Sequence, residues 1–457
     1  MLNPKLQLLV TTASRLLRRR ADGSLAKVLA KQRAEDVAII MRHVTPGEWP
    51  PILKACPNDD FRAEVLSEVE SHVAAALIGV MRPEEAVELL HRMDPDDAAD
   101  IVGALDEEKQ APLLALLNKS HGDEVEGLLH YGDETAGGIM NPVFFSMHQD
   151  TTTEEVIRKL RSAERVEMAF YVYVLNDQEQ LVGVVSLRDL VTTAPETPLH
   201  KIMASDVISV HPEMDQEDVA RLASRYGFLA IPVVDNGHKI LGIVTIDDVI
   251  DVIKEEATED ILRMAGADSD LLETGSSLRK HVKSRIVWLV ASAVGGLIAA
   301  TLMGVFEMTL SKILPLAFFV PVVIGMGGNV GTQSSTIVVR GLAMGRIDIK
   351  RLWWILGREA LVGLTLGMFY GICVGIFGFL YFHDGGSGWT SLQLGAVVSL
   401  SVLGSMTLAA GVGAFIPLIM ERLHIDPAVA TGPFVTTAID MLGILLYFNI
   451  ARAIIPL

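Results

Sequence analysis

The stretch PVVIGMGGNVGTQSSTIVVRGLA, residues 321–343, begins as an apolar segment and then becomes polar. Asn329, Thr332 and Gln333 are followed by three hydroxyl side chains at 334–336. Polar groups at membrane depth are tolerated only where they are buried in protein or line a wet cavity. The stretch therefore predicts a membrane-spanning segment that is either an unusually polar packing surface or the lining of a pore. Packing surfaces rarely need so many amide and hydroxyl groups together, which favours the pore.

Four other apolar segments accompany this stretch in the C-terminal part of the chain. An α-helix needs about 20 mostly apolar residues to cross the hydrocarbon core of a bilayer. The five segments that meet this requirement are 285–306, 313–339, 360–382, 392–420 and 428–450. The second and fourth are long enough to be broken or strongly tilted. We expect residues 282–457 to form an all-α polytopic membrane domain with five transmembrane helices.

Two of the segments carry small residues spaced by four. They are Gly363, Gly367, Gly371 and Gly375 in the third segment, and Gly296, Ala300 and Gly304 in the first. Small residues at this spacing let helix backbones approach closely in lipid. We interpret both sets as packing surfaces.

Lys and Arg flank the five segments unevenly. They are concentrated before the first segment and between the second and third, and are almost absent from the loops after the first and third. Because cytoplasmic loops carry the excess of Lys and Arg, we expect a multi-pass protein of the inner (plasma) membrane. Its N-terminal domains would be cytoplasmic and its C-terminus external.

Asp440 is the only carboxylate in the interior of a predicted span. It lies 12 residues after Ala428, which is about 18 Å along a continuous helix. A charge near the bilayer centre costs roughly 2.5–3.5 kcal/mol on insertion scales and usually marks an ion pathway. No Lys or Arg lies in the interior of a predicted span, so a cation site is favoured over a structural ion pair. Gly432 and Pro433 are expected to break or kink the helix and to free carbonyls toward the same cavity.

The first 283 residues have the composition of an acidic soluble protein. They hold 49 of the 56 acidic residues but only 29 of the 38 Lys and Arg residues. This excess argues against nucleic acid, whose phosphates need clustered basic residues, and favours cations as partners. Cys56 and Cys373 form no metal-ligand spacing and indicate no disulfide framework. The chain shows no nucleophile–base constellation and no Gly-rich phosphate loop, so an enzyme is not expected.

The N-terminal residues are predicted to be helical. Residues 1–22 form a basic amphipathic segment, interpreted as a helical lead-in in preference to a membrane-surface helix. Residues 23–130 show helical periodicity, with a 12-residue repeat over 81–116, and predict a small all-α superhelical domain. Three carboxylates lie where a helix of this repeat begins. They are either solvent-facing first-turn residues or contacts for a divalent cation: Asp96, Asp97 and Asp100.

Residues 131–253 alternate between strand and helix patterns and contain a duplication. The stretch 171–191 is similar to 230–250, and each predicts two strands that end in Ser or Thr with an Asp three residues later. This α+β region resembles a tandem pair of CBS domains. The resemblance implies a cytosolic sensor, usually for adenine nucleotides such as ATP, with the Asp at a ribose. The alternative is a purely structural dimer module. The motif residues are Ser186 with Asp189, and Thr245 with Asp248.

A run of carboxylates leads from the CBS pair into a connecting segment, 254–281. Its members are Asp247, Asp248, Asp251, Glu255, Glu256, Glu259 and Asp260. Like charges four residues apart destabilise a helix unless they are neutralised. The segment is therefore either a solvated helix face or a surface that divalent cations bridge to other acidic surfaces.

Taken in order, these pieces resemble the MgtE family of magnesium transport channels. The resemblance covers nearly the whole chain from about residue 25. It rests on MDPDDAADIV (93–102), YGDETAGGIM (131–140), the CBS pair, EEATEDILRMAG (255–266), GGNVGTQSSTIVVRGLA (327–343) and DPAVATGPFVTTAID (426–440). It implies a homodimer with a pore on the two-fold axis, and a connecting "plug" helix that closes this pore when intracellular Mg2+ is high.

The resemblance also implies a role for particular pore residues. Asp440 matches the pore carboxylate that holds hydrated Mg2+, and Gly432 and Thr436 match positions that face the ion. Asn329 and Gln333 either hydrogen-bond its water shell or stabilise a broken second span. Because Mg2+ keeps its waters and prefers carboxylates, we expect Mg2+ rather than Co2+ or Mn2+, and a membrane-anchored sensor without transport is the remaining alternative.

Cytosolic residues are implied in the same way. Sensing carboxylates match Glu217, Asp248, Asp251, Glu256 and Glu259, and Asp426 is placed at the cytoplasmic mouth, facing the plug. Nucleotide-binding positions match Arg188, Asp189 and Phe228. Some relatives carry Asp at the position of Gly227.

Overall fold

The computed structural model describes residues 4–117, 119–162, 170–267, 278–382 and 389–455. Residues 268–277 of the predicted connecting segment lie outside this set. The chain divides into two compact units, Met1–Glu255 and Glu256–Leu457.

The described residues before 131 are helical, as the sequence predicts. The helices are α1 Pro4–Arg18, α2 Asp22–Leu29, α3 Ala34–Arg42, α4 Trp49–Lys54, α5 Asp59–Ser67, α6 Ser71–Ile78, α7 Pro83–Leu90, α8 Pro95–Gly103, α9 Glu107–Leu116 and α10 Lys119–Leu128. The 12-residue repeat corresponds to three successive helix starts, at Pro83, Pro95 and Glu107. Proline suits the first helical position because its missing N–H would have no partner there.

The region after the helices contains two β-hairpins. Its elements are β1 Ser146–His148, α11 Thr153–Ser162, β2 Tyr171–Leu175, β3 Leu181–Ser186, α12 Leu187–Thr192, α13 Gln216–Tyr226, β4 Ala230–Val234, β5 Ile240–Thr245 and α14 Ile246–Met264. Strands β2 and β3 pair antiparallel, with Tyr171 opposite Ser186, and β4 and β5 pair with Ala230 opposite Thr245. The equal register confirms the duplication, and each hairpin runs directly into a helix.

One hydrophobic core joins the helices to the second hairpin. Leu66 and Leu90 of the helical region lie in the same buried cluster as Val244 of β5 and Val249 of α14. The start of α14 is therefore packed into this unit, which fixes where its first carboxylates lie. Gly227 ends α13 with φ +69°, a left-handed conformation that favours glycine.

The second unit is helical and contains five helices that are long and apolar enough to cross a membrane. Its helices are α15 Leu278–Val305, α16 Glu307–Lys312, α17 Pro315–Ala343, α18 Leu352–Tyr381, α19 Ser391–Arg422, α20 Pro427–Thr431 and α21 Pro433–Ile454. The predicted number of spans is confirmed. Of the two alternatives for the second and fourth spans, the broken one is excluded, because α17 and α19 are continuous throughout; a strong tilt stays a prediction.

Helix α19 packs against α17, α18 and α21. The glycines of α18 make its approach to α19 close: a side-chain carbon at Gly367 would lie 2.8 Å from the carbonyl oxygen of Leu403, and one at Gly371 would lie 2.6 Å from that of Ser399. The packing interpretation therefore holds for α18. For α15 the packing interpretation stays a prediction, because Gly296 and Gly304 have no described neighbour within 4 Å in the single chain.

Candidate cation pathway and acidic clusters

The last membrane helix is interrupted just before the residues of interest. Helix α20 ends at Thr431, the following Gly432 has a φ of −74° and a ψ of −116°, which are not helical, and α21 starts at Pro433. The predicted break is thus present. Because the helix restarts at Pro433, Asp440 lies about 10 Å from the start of α21 and not 18 Å along a continuous helix.

Gly432, Thr436 and Asp440 follow one another at four-residue intervals and therefore share a face of the helix. The expectation of a free carbonyl is wrong for Gly432, because its oxygen accepts hydrogen bonds from the Thr436 backbone N–H at 3.4 Å and from Thr436 Oγ1 at 3.2 Å. The hydroxyl proton of Thr436 is used in this way, and its oxygen remains an acceptor. A hydrated cation presents water protons that such an oxygen can accept.

Asp440 is half-buried beside the packed face of α21. Its neighbour Ile439 is buried and contacts Gly331 of α17. In the part of the chain that the structure describes, Asp440 has no ion pair and no hydrogen-bond donor.

The polar residues of α17 divide between two faces. Ser334 and Ser335 are buried, whereas Asn329, Gln333 and Thr336 are exposed on the single chain. The buried face fits the packing interpretation, whereas the pore interpretation of the exposed face stays a prediction. The buried serines belong to a packing surface, and the amides lie on a face available to water or to a second subunit. Neither Asn329 nor Gln333 has a hydrogen bond to Asp440 among the described contacts.

Glu359 is a second carboxylate in a membrane helix, and the sequence analysis missed it. The third span was expected to begin at residue 360, but α18 begins at Leu352 and Glu359 lies about 10 Å from that end. Ser334 Oγ donates a hydrogen bond to Glu359 Oε2 at 2.8 Å. The sequence does not show that Ser334 lies next to Glu359, because the two residues are on different helices.

The end of α14 lies against the break between α20 and α21. Asp426 caps α20, its Oδ1 accepting from the Ala428 N–H at 2.7 Å. Its other oxygen, Oδ2, accepts from Arg263 Nη1 at 2.5 Å, and Arg263 also forms an ion pair with Glu259. A side-chain carbon at Gly432 would lie 3.3 Å from the Met264 carbonyl oxygen. Two predicted sensing residues, Glu259 and Asp426, are thus joined through an arginine.

Two further carboxylates of α14 lie near this contact. Burial, followed by the negative charge of Asp426, raises the pKa of Asp260, and Arg340 opposes this effect. Glu256 is close enough to contribute to the same shift.

A separate acidic cluster forms in the first unit between α8 and the start of α14. Burial is the largest cause of each shift, and it raises the pKa of Asp97 to about 6 and those of Asp100 and Asp248 to about 7. Asp100 is itself exposed on the single chain, so water screens its charge and weakens the effect of burial; the charges of Asp97, Asp133 and Asp248 raise its pKa further. Asp248 is held by Thr245, whose Oγ1 donates at 2.5 Å. The structure therefore brings together three of the predicted sensing carboxylates from two distant segments.

Other predicted sensing residues are engaged elsewhere. Glu217 pairs with Arg221 at 2.8 Å, and Asp251 pairs with Lys254 at 2.6 Å. Asp96 lies in the first turn of α8. Within the described residues, no three acidic or histidine side chains are arranged to hold a metal ion directly.

The predicted nucleotide residues lie at the ends of two helices. Asp189 is exposed in the first turn of α12, where its Oδ2 accepts from Ser186 Oγ at 2.6 Å. Arg188 is its exposed neighbour, and Phe228 stacks on Tyr226 with ring centroids 5.4 Å apart. Asp189 and Asp248 occupy equivalent positions of the duplication, one open to solvent and the other within the acidic cluster.

Comparison with known proteins assigns the chain to a family. Family models match the MgtE intracellular N domain at 32–134, CBS domains at 136–196 and 199–255, and a divalent cation transporter domain at 320–450. The magnesium transporter MgtE of Enterococcus faecalis is 40% identical over 329 residues, which cover 72% of this chain and 71% of that protein. The chain belongs to the MgtE family of magnesium transporters. MgtE of Thermus thermophilus is 38% identical over 73% of this chain and 72% of its own length.

The solved structures include an MgtE cytosolic domain. A crystal structure of the cytosolic domain of the Mg2+ channel MgtE in complex with ATP has 34% sequence identity and a TM-score of 0.50. The match covers 53% of this chain and 99% of that one. Membership of the MgtE family, whose members are named as transporters, confirms that the protein is not an enzyme.

Proposed function

We propose that this MgtE protein is a Mg2+-selective channel for magnesium uptake, with its pore on the axis of a homodimer. One observation carries the proposal. Asp440 lies half-buried in a membrane helix, shares a face with Thr436 and Gly432, and has no partner among the described residues. An uncompensated carboxylate in a membrane is expensive and marks an ion path.

A two-fold axis would supply the rest of the site. Two copies of Asp440 would place two carboxylates around one ion, which suits Mg2+ because it retains its waters and is usually held by one or two carboxylates. The Thr436 hydroxyls and the Gly432 backbone would contact the water shell. Asn329 and Gln333 on α17 would face the same axis, which would explain why amides are exposed on a membrane helix.

The cytosolic unit would sense intracellular Mg2+. At neutral pH, Asp97, Asp100 and Asp248 repel one another when ionised, and Mg2+ between them would favour the packed arrangement. By the same reasoning Asp96, Asp251, Glu217 and Glu256 would contribute to the acidic surfaces that cations draw together, whereas Glu259 and Asp426 already pair with Arg263. A cation closes the pore only to the extent that it binds the closed state more tightly.

This proposal includes the domain limits and the orientation. The helical domain would occupy 23–130, the CBS pair 131–253, the plug segment 254–281 and the transmembrane domain 282–457, after a lead-in of 1–22. The N-terminal domains would be cytoplasmic and the C-terminus external. Adenine nucleotide, ATP by analogy with the related cytosolic domain, would bind at the first CBS motif through Arg188, Asp189 and Phe228.

Flux into liposomes tests the proposal. Purified wild type should take up Mg2+ in preference to Co2+ and Mn2+, and Asp440→Asn should abolish uptake while preserving side-chain size. Glu307→Gln in α16 is the matched control, because it removes a carboxylate from the same unit outside the proposed path. Normal Mg2+ flux in Asp440→Asn would refute the pore site, and Mg2+ binding without flux in the wild type would favour a sensor.

A further inference from the structure

Arg263 is a basic residue within an acidic segment, and it contacts a carboxylate far away in the sequence. It is the basic residue of the last turn of α14, and it reaches Asp426, which is 163 positions away in sequence. The Arg263 and Asp426 side chains are each about one-third exposed. The contact is therefore partly shielded from water, which strengthens it relative to a surface ion pair.

We propose that Arg263 is a positioning residue of the gate, whose guanidinium occupies Asp426 at the pore mouth in place of a divalent cation. The pair holds the end of α14 against the break before α21 without metal. Cytosolic Mg2+ then completes closure from an arrangement that is already partly formed. This inference rests on the proposed function and concerns its regulation.

The geometry gives Arg263 two tasks at once. Its guanidinium donates to Asp426 and also pairs with Glu259 on its own helix. A planar guanidinium can serve two carboxylates in fixed directions and is more weakly hydrated than an ammonium group. It therefore neutralises both acids where a divalent cation would otherwise be needed.

The backbone at the break is consistent with a persistent contact. Gly432 leaves room for the carbonyl oxygens of Met264 and Arg263, which would lie 3.3 and 3.7 Å from a side-chain carbon at that position. The other carboxylate oxygen of Asp426 accepts a hydrogen bond from the N-terminus of α20. Movement of Asp426 would therefore be transmitted to the start of the short helix that ends just before Gly432.

A double-mutant cycle tests the pair, with Arg263→Gln, Asp426→Asn and both together in the full-length protein. Asparagine keeps the helix cap but loses the charge. We expect two effects of each single variant. The flux at low internal Mg2+ should rise about two- to fivefold, and the Mg2+ concentration that half-inhibits the flux should rise by the same factor. The double variant should add nothing to this, and Arg263→Lys should restore part of it. Arg422→Gln, which removes a charge without an ion pair among the described residues, is the control.

Labelling provides a readout that does not depend on flux. In a chain with Cys56 and Cys373 replaced by serine, a thiol introduced by Met264→Cys should react severalfold faster after Arg263→Gln. Additive effects in the cycle, or equal labelling rates, would overturn the role of Arg263. Wild type without Mg2+ flux would refute the proposed function instead, and the labelling rates would still decide the pair.

Discussion

Protons should compete with Mg2+ for the cluster of Asp97, Asp100 and Asp248. Burial and mutual repulsion raise their pKa values to about 6, 7 and 7. A carboxyl group with a pKa of about 7 is roughly one-tenth ionised at pH 6 and nine-tenths ionised at pH 8. An ion that needs this group ionised therefore binds about tenfold more weakly at pH 6 than at pH 8 for each such carboxylate. Asp97, with its lower pKa, weakens the binding by about a further factor of two.

The stability of the same unit should change in the opposite direction without Mg2+. Each folded-state pKa lies above the unfolded value, so protonation stabilises the fold. This stability is fully present below about pH 4 and is lost as the pH rises through 6 to 7. Mg2+ should restore it most effectively at pH 8, where the carboxylates are ionised. Solvent screening at the exposed edge of Asp100 reduces its share.

Limited proteolysis of the full-length protein measures both effects. The Mg2+ concentration that gives half-protection should rise at least tenfold from pH 8 to pH 6. Titration calorimetry at pH 7 in buffers of different ionisation enthalpy should show proton release on binding. Asp248→Asn should reduce the pH dependence, whereas Asp206→Asn, at a carboxylate outside the cluster, should not. A half-protection concentration that is the same at both pH values would refute the reasoning.

Three further predictions concern other contacts. Ser334→Ala and Glu359→Ala should show a coupling of about 0.6–1.7 kcal/mol in a thermal-stability cycle, and additive losses would mean that their hydrogen bond contributes nothing. Gly371→Leu should destabilise the membrane unit by about 1–3 kcal/mol, as measured by unfolding in detergent. Gly296→Leu, on the open face of α15, should leave the stability unchanged. Asp189→Ala should remove protection of the CBS pair by ATP without changing Mg2+ flux, and unchanged protection would exclude Asp189 from a nucleotide site.

The membrane spans were predictable because composition alone identifies them, whereas their ends were not. Arg358 and Glu359 lower the local hydropathy, so the third span was expected to begin after them. Helix formation does not stop at a charge, and α18 begins at Leu352. A carboxylate that hydropathy placed outside the membrane helix therefore lies within it.

The break at Gly432 was predictable because it follows from local chemistry. A glycine followed by a proline interrupts a helix wherever the pair occurs. The sequence did not show that the Gly432 carbonyl would keep a hydrogen-bond partner. In the structure, the hydroxyl of Thr436, one turn further on, donates to its oxygen.

The acidic residues were individually visible, but their partners depend on packing between distant segments. The pair of Glu217 with Arg221 could be read from their four-residue spacing, but the sequence does not show that Asp100 meets α14. The ion pair between Arg263 and Asp426 was equally hidden, since the surrounding segment was judged by its acids alone.

The glycine column of α18 places an evolutionary constraint on that helix. At each of Gly363, Gly367, Gly371 and Gly375, even a methyl group would come within 2.9 Å of a backbone oxygen of α19, so substitution is costly at every fourth position. The opposite side of the same helix bears large exposed apolar residues such as Leu361, Phe369 and Ile376. At such positions lipid requires only that the side chain be apolar. A mutational history of this helix should therefore alternate between fixed and freely drifting positions with the period of the helix itself.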